Sequence, residues 1–280
     1  MQTIVRPLLV LHSSTALHQA LSQLPGVPYT LQRASDWNAL RAALRRTPAT
    51  AVCIVEGMER GGRDDIPPDT LRTLLTEFPS ATVLAALDVQ PRHAPLLRTL
   101  QDWGVADTID LVREDTPEAL ARRLRLVQGR SVRLLLKRAL PKGVPSRTRW
   151  LLTIAAEVVA VGGAAPQLAE ALEVDERTVP RWCRRADLPP PRTLLAWLRV
   201  LLAADLLDDP GRSVESVARS CGYATSASLK SSLRNLFGLT PRALRERGAF
   251  EFVGTAFAQQ LFQLRETARE QGKPAAAWLN

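Results

Sequence analysis

A parallel α/β domain at the amino end and an all-α domain with two helix-turn-helix units at the carboxy end are what this 280-residue sequence predicts. Three observations carry that reading. Short apolar runs alternate with amphipathic helical stretches through residues 1–130, the pattern of repeated strand–helix units. From residue 146 onward the apolar spacing is helical, and two pairs of short helices are each joined by a tight turn. The charge divides at the same place: residues 1–130 hold 15 Lys+Arg against 14 Asp+Glu, a net +1, and residues 131–280 hold 22 against 14, a net +8. A basic half beside a neutral one points to a polyanionic partner for the carboxy-terminal half.

Composition bounds the function classes. With 46% hydrophobic and 23% charged residues, the chain has core enough for each of about two globular domains. No apolar run reaches the ~18 residues of a membrane span, and the first residues lack a small-residue cleavage site, so neither a membrane anchor nor a signal peptide is expected. The three cysteines, Cys53, Cys183 and Cys221, are scattered and odd in number. They fit a reducing cytoplasm and small core side chains rather than disulfides or a metal framework. His12, His18 and His93 show no metal-binding spacing. The stretch Arg60–Asp65 is a Gly-containing loop without phosphate-loop spacing, and no Gly-x-Gly-x-x-Gly, Gly-x-Ser-x-Gly or His-Glu-x-x-His occurs. The sequence therefore predicts no enzyme, no metal and no cofactor.

In the amino-terminal half, Val5–His12 has the length and apolarity of a buried strand, followed by a helix over Thr15–Leu24. Tyr29–Arg33 is a short strand. Asp36 caps a helix to Arg46, with Trp37, Leu40, Ala43 and Leu44 inward. Ala51–Val55 is a strand, Thr70–Phe78 a helix, Ala81–Leu87 a strand, Ala94–Trp103 a helix and Ala106–Leu111 a strand. Pro117 opens a last helix to Gln128. Five strands alternating with five helices predict a five-stranded parallel sheet covered on both faces, in flavodoxin-like order.

This half resembles the receiver domain of two-component response regulators in its order of elements, but a working receiver's chemistry is missing. Such a domain needs an acidic pair after the first strand and an Asp ending the third. Here His12-Ser13-Ser14 and Glu56-Gly57 stand at those places, Asp88 follows the fourth strand where a hydroxyl is expected, and residues 1–130 contain no lysine. One carboxylate at Glu56 would hold magnesium poorly, because hard cations require several oxygens. The resemblance implies a degenerate receiver-like domain that takes no phosphate and serves dimerisation or protein contact in preference to a small ligand.

Residues 131–145 are expected to form the linker. A basic helix, Gly129–Leu140, leaves the first domain and Pro141–Pro145 breaks it. Arg147–Val161 is helical, with Trp150, Leu151, Ile154, Val158 and Val161 on one face. Pro166–Leu172 is a short helix, Glu173–Asp175 turns, and Asp175 caps a recognition helix over Glu176–Ala186. Val179, Trp182 and Cys183 point inward. Arg177, Arg181, Arg184 and Arg185 point outward and suit guanine edges or phosphates. Pro180, the fifth residue of that helix, is expected to kink or delay it. A long apolar helix, Arg192–Leu207, follows and ends at an Asp208–Gly211 turn.

Ser213 then caps a helix carrying Val214, Val217 and Ala218, and Cys221-Gly222 breaks it. Thr225 or Ser226 caps the next helix, with Leu229, Leu233 and Leu236 as its apolar stripe. Ser228, Lys230, Ser231, Arg234 and Asn235 face outward with no acid among them. Phe237-Gly238-Leu239-Thr240-Pro241 ends it. Last, Phe250–Arg269 repeats Phe250, Val253, Phe257, Leu261 and Leu264 on one face, for either a domain face or another subunit. Gly272–Asn280, with Trp278, has no assigned role.

The stretch Ser213–Pro241 strongly resembles the second helix-turn-helix of AraC/XylS-type transcription regulators, through Gly222-Tyr223, Leu229, Leu233-Arg234, Phe237-Gly238 and Thr240-Pro241. The first unit matches more loosely, with Pro180 a departure. The resemblance implies an AraC-type DNA-binding domain over 146–249 and a helical extension over 250–280. It implies that Arg192–Leu207 is the rigid helix linking two recognition helices about one DNA turn apart, ~34 Å. Thr225, Ser226, Ser228, Lys230, Ser231 and Arg234 would then face the groove. Double-stranded DNA, a second copy of the chain and RNA polymerase are the implied partners. Two other readings stand beside it: a protein-interaction module without DNA binding, and a working phospho-receiver. DNA capture would separate the first, and a phosphate-donor assay the second.

Overall fold

The computed structural model describes residues 6–26, 29–58 and 66–270. The Arg60–Asp65 loop and the Gly272–Asn280 tail lie outside the described residues. The chain divides into two compact units, one of residues 2–131 with 209–216 and one of residues 132–208 with 217–280.

The first unit is a parallel α/β sandwich. Its strands are β1 (Arg6–Leu11), β2 (Tyr29–Arg33), β3 (Val52–Glu56), β4 (Thr82–Leu87) and β5 (Asp107–Asp110). Its helices are α1 (Thr15–Ser22), α2 (Trp37–Leu44), α3 (Asp69–Glu77), α4 (Ala94–Asp102) and α5 (Pro117–Val127). The sheet order is β2-β1-β3-β4-β5, and every pairing is parallel. This is the flavodoxin-like order. Alternation along β1 and β3 builds two cores. Leu9, Cys53 and Val55 join Leu40, Leu44, Leu74, Phe78 and Leu100 on one face. Leu8, Val10 and Ile54 join Leu17, Leu21, Leu120 and Leu124 on the other. Helix starts follow their caps: Ser14, Asp36 and Thr116 accept from the backbone N–H groups of Leu17, Ala39 and Ala119.

Residues 209–216 complete this unit from far along the chain. Asp209 accepts from the Ser80 backbone N–H at 3.0 Å and from its hydroxyl, and pairs with Arg212 at 3.1 Å. Gly211 N–H donates to the Glu77 carbonyl at 2.8 Å, and the Arg45 Nε donates to the Gly211 carbonyl at 2.8 Å. Arg45 and Arg212 both lie over the Phe78 ring, at 5.8 and 5.7 Å from its centroid. The sequence reads Asp208–Gly211 as a turn and gives no sign of this packing.

The second unit is all α: α6 (Arg130–Ala139), α7 (Ser146–Ala160), α8 (Ala165–Ala171), α9 (Val179–Arg185), α10 (Pro191–Leu207), α11 (Val214–Ser220), α12 (Ser226–Phe237), α13 (Pro241–Glu246) and α14 (Ala249–Glu270). The ends of α6 and α11 at residues 130–131 and 214–216 fall to the first unit. Helix α10 is central and apolar nearly all round, so that Leu194, Leu198, Leu201 and Leu206 are all buried. Trp197 on α10 meets Phe237 at 5.6 Å and Phe257 of α14 at 5.9 Å, and Phe237 meets Phe252 at 5.8 Å. Phe250, Val253, Phe257 and Leu261 are buried, so α14 covers a face of its own unit.

The basic helix expected over Gly129–Leu140 is α6, which buries Val132, Leu135, Leu136 and Ala139. Arg138 on it pairs with Asp205 at 2.7 Å and sits 3.7 Å from the Phe250 ring centroid. Trp150 is 47% exposed rather than inward, and Leu236 is 38% exposed. In α12 the stripe runs Leu229, Leu233, Phe237, each four residues on, so Phe237 takes the inward place and turns Leu236 out.

Candidate nucleic-acid interface

The first helix-turn-helix is built from α8 and α9. Glu173 turns the chain at φ 55°, and the Asp175 carboxylate accepts from the Arg177 N–H at 2.8 Å. That cap starts a 3-10 turn over Glu176–Thr178, and α9 begins only at Val179. Pro180 therefore lies in the first turn of the α-helix, where its missing N–H would have no intrahelical partner, and it breaks no bond. Of the expected kink or delay only the delay occurs, and the expected continuous helix over Glu176–Ala186 is split in two.

Val179 and Cys183 anchor α9 in the core. Arg177, Arg181, Arg184 and Arg185 are all exposed. Trp182, expected inward, is half-buried and lies 6.0 Å from the exposed Trp150 ring, with the Arg147 guanidinium 5.7 Å away. Arg147 and Trp150 thus flank α9. Arg147 is not among the residues the sequence singles out, and its signal is the Arg-Thr-Arg-Trp run at the start of α7. Burial pushes the Cys183 thiol up to about 11, so it is a packing group.

The second helix-turn-helix is built from α11 and α12. Ser213 Oγ accepts from the Ser216 N–H at 3.1 Å, and Gly222 makes the turn at φ 72°. Thr225, and not Ser226, is the cap of α12: its hydroxyl accepts from the Ser228 N–H at 3.1 Å. Leu229 and Leu233 are buried. Thr225, Ser228, Lys230, Ser231 and Arg234 are exposed, and Ser226 is half-buried. Gly238 ends α12 in the left-handed conformation at φ 68°, and Thr240 caps α13 by accepting from the Ala243 N–H. Tyr223 beside the turn is buried enough for its phenol to be pushed up to about 12, and its hydroxyl is hydrogen-bonded to Ser232.

Helices α9 and α12 therefore each present cations on one side and an apolar stripe on the other, and α12 adds short hydroxyls. Arginine forks and hydroxyls can reach base edges and phosphate oxygens. All ten candidate residues lie in the helical unit, and none is buried.

The strand ends of the α/β unit carry a different arrangement. Glu56 Oε1 accepts from the Ser13 backbone N–H at 3.1 Å and from its hydroxyl. His12 Nδ1 accepts from the Ser14 N–H at 3.0 Å, and His18 Nε2 lies 2.6 Å from the His12 carbonyl. Among the described residues no group of three or more His, Cys, Asp or Glu is placed to hold a metal ion. Among them, too, no helix is long and apolar enough to cross a membrane.

Residues 168–247 match the family described as "Helix-turn-helix domain". This stretch, which spans both units just described, is an AraC-type helix-turn-helix domain of the kind found in DNA-binding transcription regulators. A crystal structure of full-length FixJ from B. japonicum is similar at 13% identity and a TM-score of 0.36, over 84% of this chain and 98% of that one. A comparison with curated proteins finds no match.

Proposed function

We propose that this protein is a cytoplasmic, sequence-specific transcription regulator that lays α9 and α12 into successive major grooves of duplex DNA. The observation that carries this reading is the shared two-faced build of the two helices. Arg181, Arg184 and Arg185 are exposed on the first, with Arg177 exposed in the 3-10 turn before it, and Lys230 and Arg234 are exposed on the second, each helix backed by buried side chains. In this reading Arg181 and Arg184 contact guanine edges, while Lys230 and Arg234, flanked by Ser228 and Ser231, contact mostly phosphates. Thr225 and Ser226 meet the backbone where α12 enters the groove.

The α/β unit is the dimerisation or protein-contact domain, with a second copy of the chain or RNA polymerase as its partner. Glu56 supports its reading as a receiver that takes no phosphate. Its carboxylate is engaged by Ser13 where a phosphate acceptor would need free oxygens and a neighbouring cation.

Fluorescence anisotropy on fragments selected from random duplex DNA tests the reading. Affinity is expected to fall with salt along a log–log slope of roughly −0.9 per phosphate neutralised. Arg181→Ala is expected to weaken the selected site by about 1 to 3 kcal/mol and to relax one base position. A salt-independent signal, or equal binding by wild type and an Arg181→Ala/Arg184→Ala double variant, refutes it.

A further inference from the structure

The turn before the first helix-turn-helix meets the turn inside the second at a pair of glycines. Gly162 follows α7 at φ 81°, in the turn that leads to α8, and Gly222 makes the α11–α12 turn at φ 72°. A Cβ placed on Gly222 would lie 2.9 Å from the Gly162 Cα, a separation that real Cβ atoms essentially never show. The obstacle is backbone, which cannot rotate away as a side chain can. Gly238 serves as an internal control. It has the same left-handed backbone at φ 68°, and a Cβ there would meet nothing within 4 Å.

The backbone beside Gly162 is held by Val158 and by Arg199. Gly163 N–H donates to the Val158 carbonyl at 2.8 Å, and a Cβ on Gly163 would lie 2.6 Å from Val158 Cγ1. Arg199, from the middle of α10, donates from Nη2 to the Gly163 carbonyl at 2.7 Å. On the other side, Tyr223 N–H donates to the Ala218 carbonyl at 2.9 Å, and the Tyr223 hydroxyl bonds to Ser232 of α12. The turn preceding the first unit and the turn inside the second are thus pinned together, with α10 as the third member.

We infer that Gly162, Gly222 and Arg199 are positioning residues that set the offset between the two recognition helices, and with it the spacing of the two DNA half-sites the protein selects. This rests on the proposed DNA-binding function and deepens it. A long helix alone fixes only the distance between its ends. The glycine contact removes rotation about that helix, because the two backbones can approach closely at one relative orientation. Half-site spacing follows from that orientation, since adjacent major-groove faces recur about every 10 base pairs.

Asparagine separates backbone conformation from contact, because it tolerates the left-handed region yet carries a Cβ. The full chain is used with a duplex library in which the spacer between half-sites varies in length. Wild type and Gly238→Asn are expected to select the same single spacing. Gly222→Asn is expected to keep the base preference within each half-site, to broaden or shift the spacing, and to bind the wild-type-spaced site at least tenfold more weakly. Should Gly222→Asn fail to fold by circular dichroism, Arg199→Lys takes its place, with a broadened spacing expected. Unchanged spacing with affinity within twofold of wild type, in whichever variant folds, overturns the inference while leaving the DNA-binding reading intact. A wild-type chain that selects no duplex overturns both.

Discussion

Burial decides the chemistry of the three thiols. Cys53 sits in the β3 core, and its thiol is pushed up to about 12 by loss of water; Cys183 under α9 is pushed to about 11. Both thiols are protonated near neutral pH, and a protonated thiol is a poor nucleophile. Cys221, at the end of α11, is buried as well. A thiol-disulfide reagent at pH 8 is therefore expected to label none of the three in the native chain and all three in guanidinium. Rapid native labelling of any of them would mean that its element opens. These residues were readable as core from composition alone. Trp150 was not, because its place on the apolar side of α7 looked like burial. It is exposed, because its ring partner, Trp182, lies at the surface of α9.

At the level of elements, a helix was legible where its ends carry special residues. Thr225 and Gly238 bracket α12 because a hydroxyl satisfies an orphan N–H and glycine takes the left-handed exit. The start of α9 was misread for the same physical reason in reverse. Asp175 is a good cap, but what it caps is a 3-10 turn, and sequence spacing does not distinguish three residues per turn from 3.6 over so short a run. Two substitutions test this contrast by urea unfolding of the helical unit. Pro180→Ala is expected to change stability by less than about 0.5 kcal/mol, where an interior proline would have been relieved of roughly 3. Thr225→Ala is expected to lose about 1 kcal/mol through the cap it removes. A gain of several kcal/mol from Pro180→Ala would place that proline inside a strained helix.

At the scale of the whole molecule, the alternation of apolar runs was enough to foretell the five-stranded sheet, its order and the helical half. It could not foretell that the α/β unit is discontinuous in sequence. Asp209 meets Ser80 across 129 positions, and no local pattern encodes a partner at that distance. The chain leaves α10, passes through residues 209–216 as part of the α/β unit, and enters α11. That segment stabilises the unit through groups with little room to move. A Cβ on Gly211 would lie 2.6 Å from Phe78 Cζ and 2.9 Å from the Glu77 carbonyl oxygen, and Asp209 and Arg212 have side chains only 1% and 2% exposed. Burial pushes the Asp209 carboxyl up, against the pull of Ser80 and Arg212. Residues 1–131 alone would leave the Phe78 ring and the Ser80 N–H to water. That fragment is expected to melt at least ~5 °C below the α/β transition of the full chain, in line with the loss of 1–3 kcal/mol from a domain of this size. Gly211→Ala in the full chain is expected to lower the same transition, because the added methyl displaces Phe78. If the fragment melts with the full chain's α/β unit and Gly211→Ala is silent, residues 209–216 are passengers on that surface and contribute nothing to its fold.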